Sequence, residues 1–231
     1  AWDGKVGIVL PYHAGATYNV ELNGDLKNVS SHLPSPLAKP AGEPLAVNVK
    51  VDGNLNSFEL TGQAGADNHF NSRWLLGQKL TLDRAIWAAD SKTLPPLPEQ
   101  SGVELNMPPM NGAEWLALFQ KGAAESVGGA ASFPQHITLR TPMLSLGNQQ
   151  WNNLSIVSQP TANGTLVEAQ GREINATLAM RNNAPWLANI KYLYYNPSVA
   201  KTRGDSTPSS PFPTTERINF RGWPDAQIRC T

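Results

Sequence analysis

Alternation with a period of two, repeated along most of the sequence, is the pattern that most restricts what this chain folds into. It is plainest at Leu45, Val47, Val49 and Val51, which alternate with Ala46, Asn48 and Lys50. It returns at Tyr18, Val20 and Leu22, and at Phe70, Trp74 and Leu76. Leu80, Leu82 and Ile86 carry it again, interrupted by Arg84, and Ile174, Ala176, Leu178 and Met180 repeat it cleanly. Residues two apart point to the same side of a strand, so each run predicts a strand with one apolar and one polar face. Runs of about 8 to 10 residues extend about 27 to 33 Å at about 3.3 Å per residue.

Turn chemistry punctuates these runs. Asn23-Gly24 and Asp52-Gly53 both suit the two positive φ angles of a type I′ hairpin. A turn at Asp52-Gly53 places Phe58 and Leu60 on the same face as the valines, so turn and pattern agree. Gly147-Asn148 turns the chain into a strand from Trp151 to Val157. Between Ile137-Leu139 and Leu144-Leu146 the apolar parity switches at Thr141-Pro142, which predicts a bulge or bend. Other strands are expected at 102–107, beyond the Pro-rich bend Leu94-Pro95-Pro96-Leu97-Pro98, and at 165–170 and 186–195.

One helix is expected. Asn111 is a good N-cap with Glu114 three residues on, and Trp115, Leu116, Leu118, Phe119 and Ala123 follow at helical spacing before Gly128-Gly129. The chain therefore divides into a first antiparallel segment (1–110), an amphipathic helix and loop (111–130) and a second antiparallel segment (131–195). A Pro/Ser/Thr-rich loop (196–216) and the start of a further strand (217–231), with Ile218 and Phe220 in phase, complete it. That last pattern stops in mid-run, so the chain is expected to be an internal piece of a longer protein. Any signal or anchor is expected outside it.

Composition narrows the function. Formal net charge is +0 and only 16% of the residues are charged, so no strong field draws in nucleic acid. His13, His32, His69 and His136 are scattered, with no pair at ligand spacing, and no metal or other cofactor is expected. No nucleophile elbow, phosphate loop or dinucleotide fingerprint is present. Asp83, Asp90, Glu168 and Glu173 are dispersed, and a pair meeting in a cleft would be needed for a carbohydrate-active β scaffold, the least favoured reading. The single cysteine, Cys230, forms no intrachain disulfide. Four Asn-x-Ser/Thr triplets, at Asn28, Asn153, Asn163 and Asn175, read as chance in an Asn-rich chain.

The expected fold is mainly all-β, with long antiparallel strands and one amphipathic helix. Two arrangements bury the apolar faces: two sheets packed as a sandwich, or one curved, groove-like sheet with an apolar inner surface. Periodicity does not separate them.

Three stretches resemble the bacterial AsmA-like family of envelope lipid-transport proteins. They are Ser31-His32-Leu33-Pro34-Ser35-Pro36-Leu37-Ala38-Lys39, Gly102-Val103-Glu104-Leu105 running into Asn111-Gly112-Ala113-Glu114-Trp115, and Gly171-Arg172-Glu173-Ile174-Asn175-Ala176-Thr177-Leu178. None is catalytic. The resemblance implies a periplasmic segment of a protein anchored in the inner membrane, with a β-groove that carries phospholipid acyl chains between inner and outer membranes and supports the permeability barrier. It implies no enzyme and no cofactor. On that reading Val47, Val49, Val51, Phe58, Leu60, Trp74, Leu76, Leu80, Leu82, Ile174, Leu178 and Met180 line the groove. The competing expectation is a structural or protein-binding β module that recruits a partner at a strand edge.

Overall fold

The alternating runs do become strands in the computed structural model, which describes residues 2–11, 15–115, 131–132, 134–195 and 226–230, with the backbone alone at 131 and 226–230. The N-terminal strands are β1 (Trp2–Val9), β2 (Thr17–Asp25), β3 (Ala46–Asn54), β4 (Ser57–Ala64), β5 (Asn68–Leu76) and β6 (Leu80–Ala89). Three short ones follow, β7 (Gly102–Asn106), β8 (Met110–Asn111) and β9 (Ala131–Ser132). The rest are β10 (Ile137–Leu146), β11 (Gln149–Thr161), β12 (Gly164–Gln170), β13 (Ile174–Arg181), β14 (Trp186–Leu193) and β15 (Ala226–Cys230).

All of these belong to one sheet, in the order β1-β2-β3-β4-β5-β6-β7-β10-β11-β12-β13-β14-β15. β1 and β15 stand at opposite ends of that row, so the sheet does not close into a barrel. Among the described residues no second sheet faces it. The sandwich gives way to a single open, groove-like layer.

The sheet is not purely antiparallel. β7 runs parallel to both β6 and β10, and β15 runs parallel to β14. β9 pairs with the start of β6, while β8 pairs with β10 beyond the end of β7. The three short strands thus fill, end to end, one slot between two long ones. A parallel neighbour needs a long crossover, and the Pro-rich stretch 90–101 supplies one. It crosses the polar face, where Asn71 Nδ2 donates to the Pro95 carbonyl (3.2 Å) and Arg84 Nη1 to those of Pro98 (3.3 Å) and Glu99 (3.1 Å).

Two expected turns are displaced. Asn23-Gly24 lies inside β2, and Asp52-Gly53 lies inside β3. The β3–β4 hairpin turns instead at Leu55-Asn56, where Asn54 Oδ1 accepts from the backbone N–H groups of Asn56 and Ser57. Both glycines have another use: the ring of Trp2 occupies the space a Cβ on Gly24 would fill, and Tyr18 and Phe58 do the same at Gly53. Val51 still pairs with Leu60 and Gly53 with Phe58, so the expected face assignment survives the displaced turn. Gly147-Asn148 does turn the chain, with φ of 64° and 58°.

At Thr141-Pro142 the expected irregularity is a bend shared by two strands. Thr141 pairs with Leu154 and Met143 with Asn152, so the ladder keeps count, and Asn153, opposite Pro142, has φ 49°. Leu139 and Leu144 consequently pack in the same cluster despite their opposite parity.

Residues 112–115 are helical. Asn111 Oδ1 accepts from the Ala113 N–H (3.1 Å), the expected N-cap, and its Nδ2 donates to Glu114 Oε1 (2.8 Å), so Glu114 meets the Asn111 side chain rather than its backbone N–H. The remainder of the expected helix, the 196–216 loop, the Ile218-Phe220 run and His13 lie outside the described residues. The core is small: Ala89, Met107, Met110, Leu144 and Leu154, with Trp87, Leu105, Trp115, Leu139 and Ile156 among those packed against it. No large side chain among the described residues is sealed from solvent.

Candidate functional site

Cross-strand partners share a face of a sheet, so the registers show which residues stand together. Val49 pairs with Leu22 on β2 and Gly62 on β4, and Val51 with Val20 and Leu60. From Leu60 the pairings run through Ser72, Ala85, Val103, Ile137, Ser158 and Val167 to Leu178. None of these residues is charged. Val47 and Phe58 lie on the same side through Ala64 and Gly53.

A bulge decides the placement of the next group. The β5–β6 register shifts between Arg73 and Trp74, so Trp74 pairs with Leu82 and Leu76 with Leu80 rather than with residues of the opposite parity. That shift keeps Leu80 and Leu82 with Trp74, whose ring stacks on Phe58 at 6.1 Å. Ile174 and Met180 share the parity of Leu178. The registers thus place all twelve expected groove residues on one face. Leu82 is buried, Leu76 is 40% exposed, and the others are half-buried.

The opposite face is polar. Lys5 pairs with Glu21 and Glu21 with Lys50. Asn48 Nδ2 donates to Asn23 Oδ1 (2.5 Å) and Glu21 Oε1 (3.2 Å), and Asn19 Nδ2 to Asp52 Oδ1 (2.5 Å). Arg140 and Glu104 form an ion pair at 3.2 Å. Charge is therefore sorted to one side of a single layer, and the other side is left greasy and incompletely covered.

Sequence reasoning did not single out one part of the apolar face. Residues 26–45 connect β2 to β3, which are adjacent in the sheet, and they reach over it to form a half-open cavity of about 600 Å³. Its walls include Pro36, Leu37 and Ala38 above, and Phe70, Ala85, Trp87, Val103 and Leu105 from β5, β6 and β7. Phe70 shares the parity of Trp74, a signal the sequence carried. Trp87 and Leu37 had none, because the bulge breaks the parity of one and the other lies in a connection.

The Gly171-to-Leu178 stretch has a structural role. Glu173 accepts from the Asn152 backbone N–H (2.7 Å) and side-chain Nδ2 (2.8 Å), tying the β12–β13 turn to β11. Burial works to raise the Glu173 carboxyl, but the Asn152 hydrogen bonds outweigh it, with the Arg172 charge adding to them, and hold it below the usual carboxylate range. Among the described residues no group of three His, Cys, Asp or Glu side chains is arranged to hold a metal ion. No described helix is long and apolar enough to cross a membrane.

A family model described as YhdP protein matches residues 1–231. The chain belongs to the YhdP family. It is 99% identical over all 231 residues to the intermembrane phospholipid transporter YhdP of Escherichia coli (strain K12), and it spans 18% of that protein's length. No solved structure matches it. The membership agrees with the AsmA-like resemblance read from the three sequence stretches, and in this YhdP-family chain those stretches form a covering loop, a capped helix start and a braced turn.

Proposed function

We propose that this chain is a segment of a periplasmic conduit through which phospholipid acyl chains slide between the inner and outer membranes. The observation that carries this reading is the uncharged, mainly apolar face running from β1 to β14 in a one-layer sheet. The transport named for the 99%-identical relative supports it. Each methylene taken from water contributes about 0.8 kcal/mol, so a chain is held without specific hydrogen bonds. Successive aliphatic positions of similar character hold it almost equally well, and it moves between them at little cost. The polar face stays in water and keeps the sheet soluble.

The role is carriage, with no bond made or broken. Glu173, the carboxylate with a shifted pKa, is engaged by Asn152 and bears on a turn. The membrane anchor and the ends that meet the bilayers belong, on this reading, to the rest of the protein.

The test is native mass spectrometry with lipid extraction on the chain purified from bacterial cells without lipid-like detergent, beside a Val49→Asp variant. Phospholipid is expected on the parent and several-fold less on a variant that keeps its circular dichroism. A lipid-free mass accompanied by a stoichiometric protein would replace the conduit with a bracing module bound through the β1 edge.

A further inference from the structure

The connection between β2 and β3 is far longer than its task requires. These strands are neighbours, and two residues would join them. Residues 26–45 instead reach across the apolar face, and their walls face β4, β5, β6 and β7. Strands lie about 4.8 Å apart, so from β3 to β7 this is an excursion of about 19 Å.

The excursion is tied at both ends and braced along its length. At its root Leu26 N–H donates to the Leu45 carbonyl (2.9 Å), and Leu45 N–H to Asp25 Oδ1 (2.9 Å). Ser31 and Lys39 pair as a two-residue bridge. Lys39 Nζ donates to the carbonyls of Val29 (2.7 Å) and Pro40 (3.2 Å). At the far side Trp115 Nε1 donates to the Ser35 carbonyl at 3.0 Å, a contact 80 residues apart in sequence. Trp115 itself packs on the central core. A loop rooted at β2 and β3 and pinned beyond β8 is a strap, and the cavity lies beneath it.

We propose that residues 26–45 roof the groove over β4 to β7, so that lipid crosses this stretch endwise, acyl chains first, beneath Leu37. The proposal rests on the conduit reading and adds a selectivity to it. The passage volume of about 600 Å³ falls in the range that encloses one small-molecule ligand, about 300–1,000 Å³. It therefore takes the chains of one phospholipid at a time. The wall is mainly apolar and carries the anionic Glu43 as well as Lys39, whose Nζ is engaged by the Val29 and Pro40 carbonyls, so the phosphate headgroup is disfavoured in the roofed stretch.

The experiment uses the full-length transporter in cells, with benzoylphenylalanine placed singly at Val49, Phe70 or Leu178 and phospholipid capture read after irradiation. Phe70 lies in the floor beneath the strap, whereas Val49 and Leu178 are not among the cavity walls and lie to either side. All three probes are expected to capture phospholipid. Leu37→Trp, which narrows the space beneath the strap, is expected to reduce capture at Phe70 several-fold and to shift the ratio of capture at Val49 and Leu178, as lipid accumulates on one side and drains from the other. Capture at Val49 and Leu178 that ignores Leu37→Trp, with none at Phe70 in the parent, overturns the roofed passage and leaves the conduit standing. No capture at any of the three overturns both.

Discussion

A Cβ built on Gly62 would run into the ring of Phe70 on the neighbouring strand, just as Gly24 meets Trp2 and Gly53 meets Tyr18. Each pair lets an aromatic ring cover the backbone of the next strand, where a second side chain would have stood. Gly62→Val is therefore expected to destabilise the chain by about 1–3 kcal/mol, the usual cost of overpacking, seen as a lower urea midpoint at unchanged slope. Gly7→Ala, where an added Cβ meets only the Asn19 carbonyl at 4.0 Å, is expected to stay within about 0.5 kcal/mol. Glu173 gives a pH signature. Its carboxyl is held below its ordinary value, so its contribution to stability is present above the unfolded-state pKa of about 4.3 and is lost as pH falls through the lower folded value. Denaturation midpoints of the parent and Glu173→Gln are expected to differ at neutral pH and to converge in acid.

At the scale of strands, most of the fold was legible because the period of two survives any choice of partner. The face of Phe58 and Leu60 came out correctly even though the Asp52-Gly53 turn did not, since the loop still has two residues and a two-residue loop gives the same parity wherever it falls. Glycine misled because it serves both turns and ring packing, and only tertiary contacts distinguish them. The parallel placement of β7 was hidden for a related reason: a strand's pattern says which side is apolar, and nothing about the direction of its neighbour. The strap was hidden too. A Pro-rich connection reads as a loop, and what it lies across depends on a strand order that local sequence does not encode. Its bracing has a direct consequence. Lys39→Met removes the two Nζ hydrogen bonds and is expected to speed hydrogen exchange at the bridging amides of Ser31 and Lys39 severalfold. Exchange at Val49 and Leu60 should be unaffected, and global stability should fall by about 1 kcal/mol or less.

For the molecule as a whole, a thin layer with a small core trades enclosure for access. Trp2, Val6 and Ile8 on β1 are 60%, 69% and 67% exposed, on a strand paired along one side only. Such an edge invites pairing with another copy. The isolated 231-residue chain is expected to associate with rising concentration in sedimentation velocity, and Val6→Lys with Ile8→Lys together to return it towards monomer. The strand order also sets a yardstick. Thirteen strands stand in one row, and twelve spacings of about 4.8 Å give a contour of about 58 Å, nearly twice the roughly 30 Å hydrocarbon thickness of a bilayer. Reach here is counted in strands, so a hairpin added or removed changes the span by about 10 Å while every remaining ladder keeps its register.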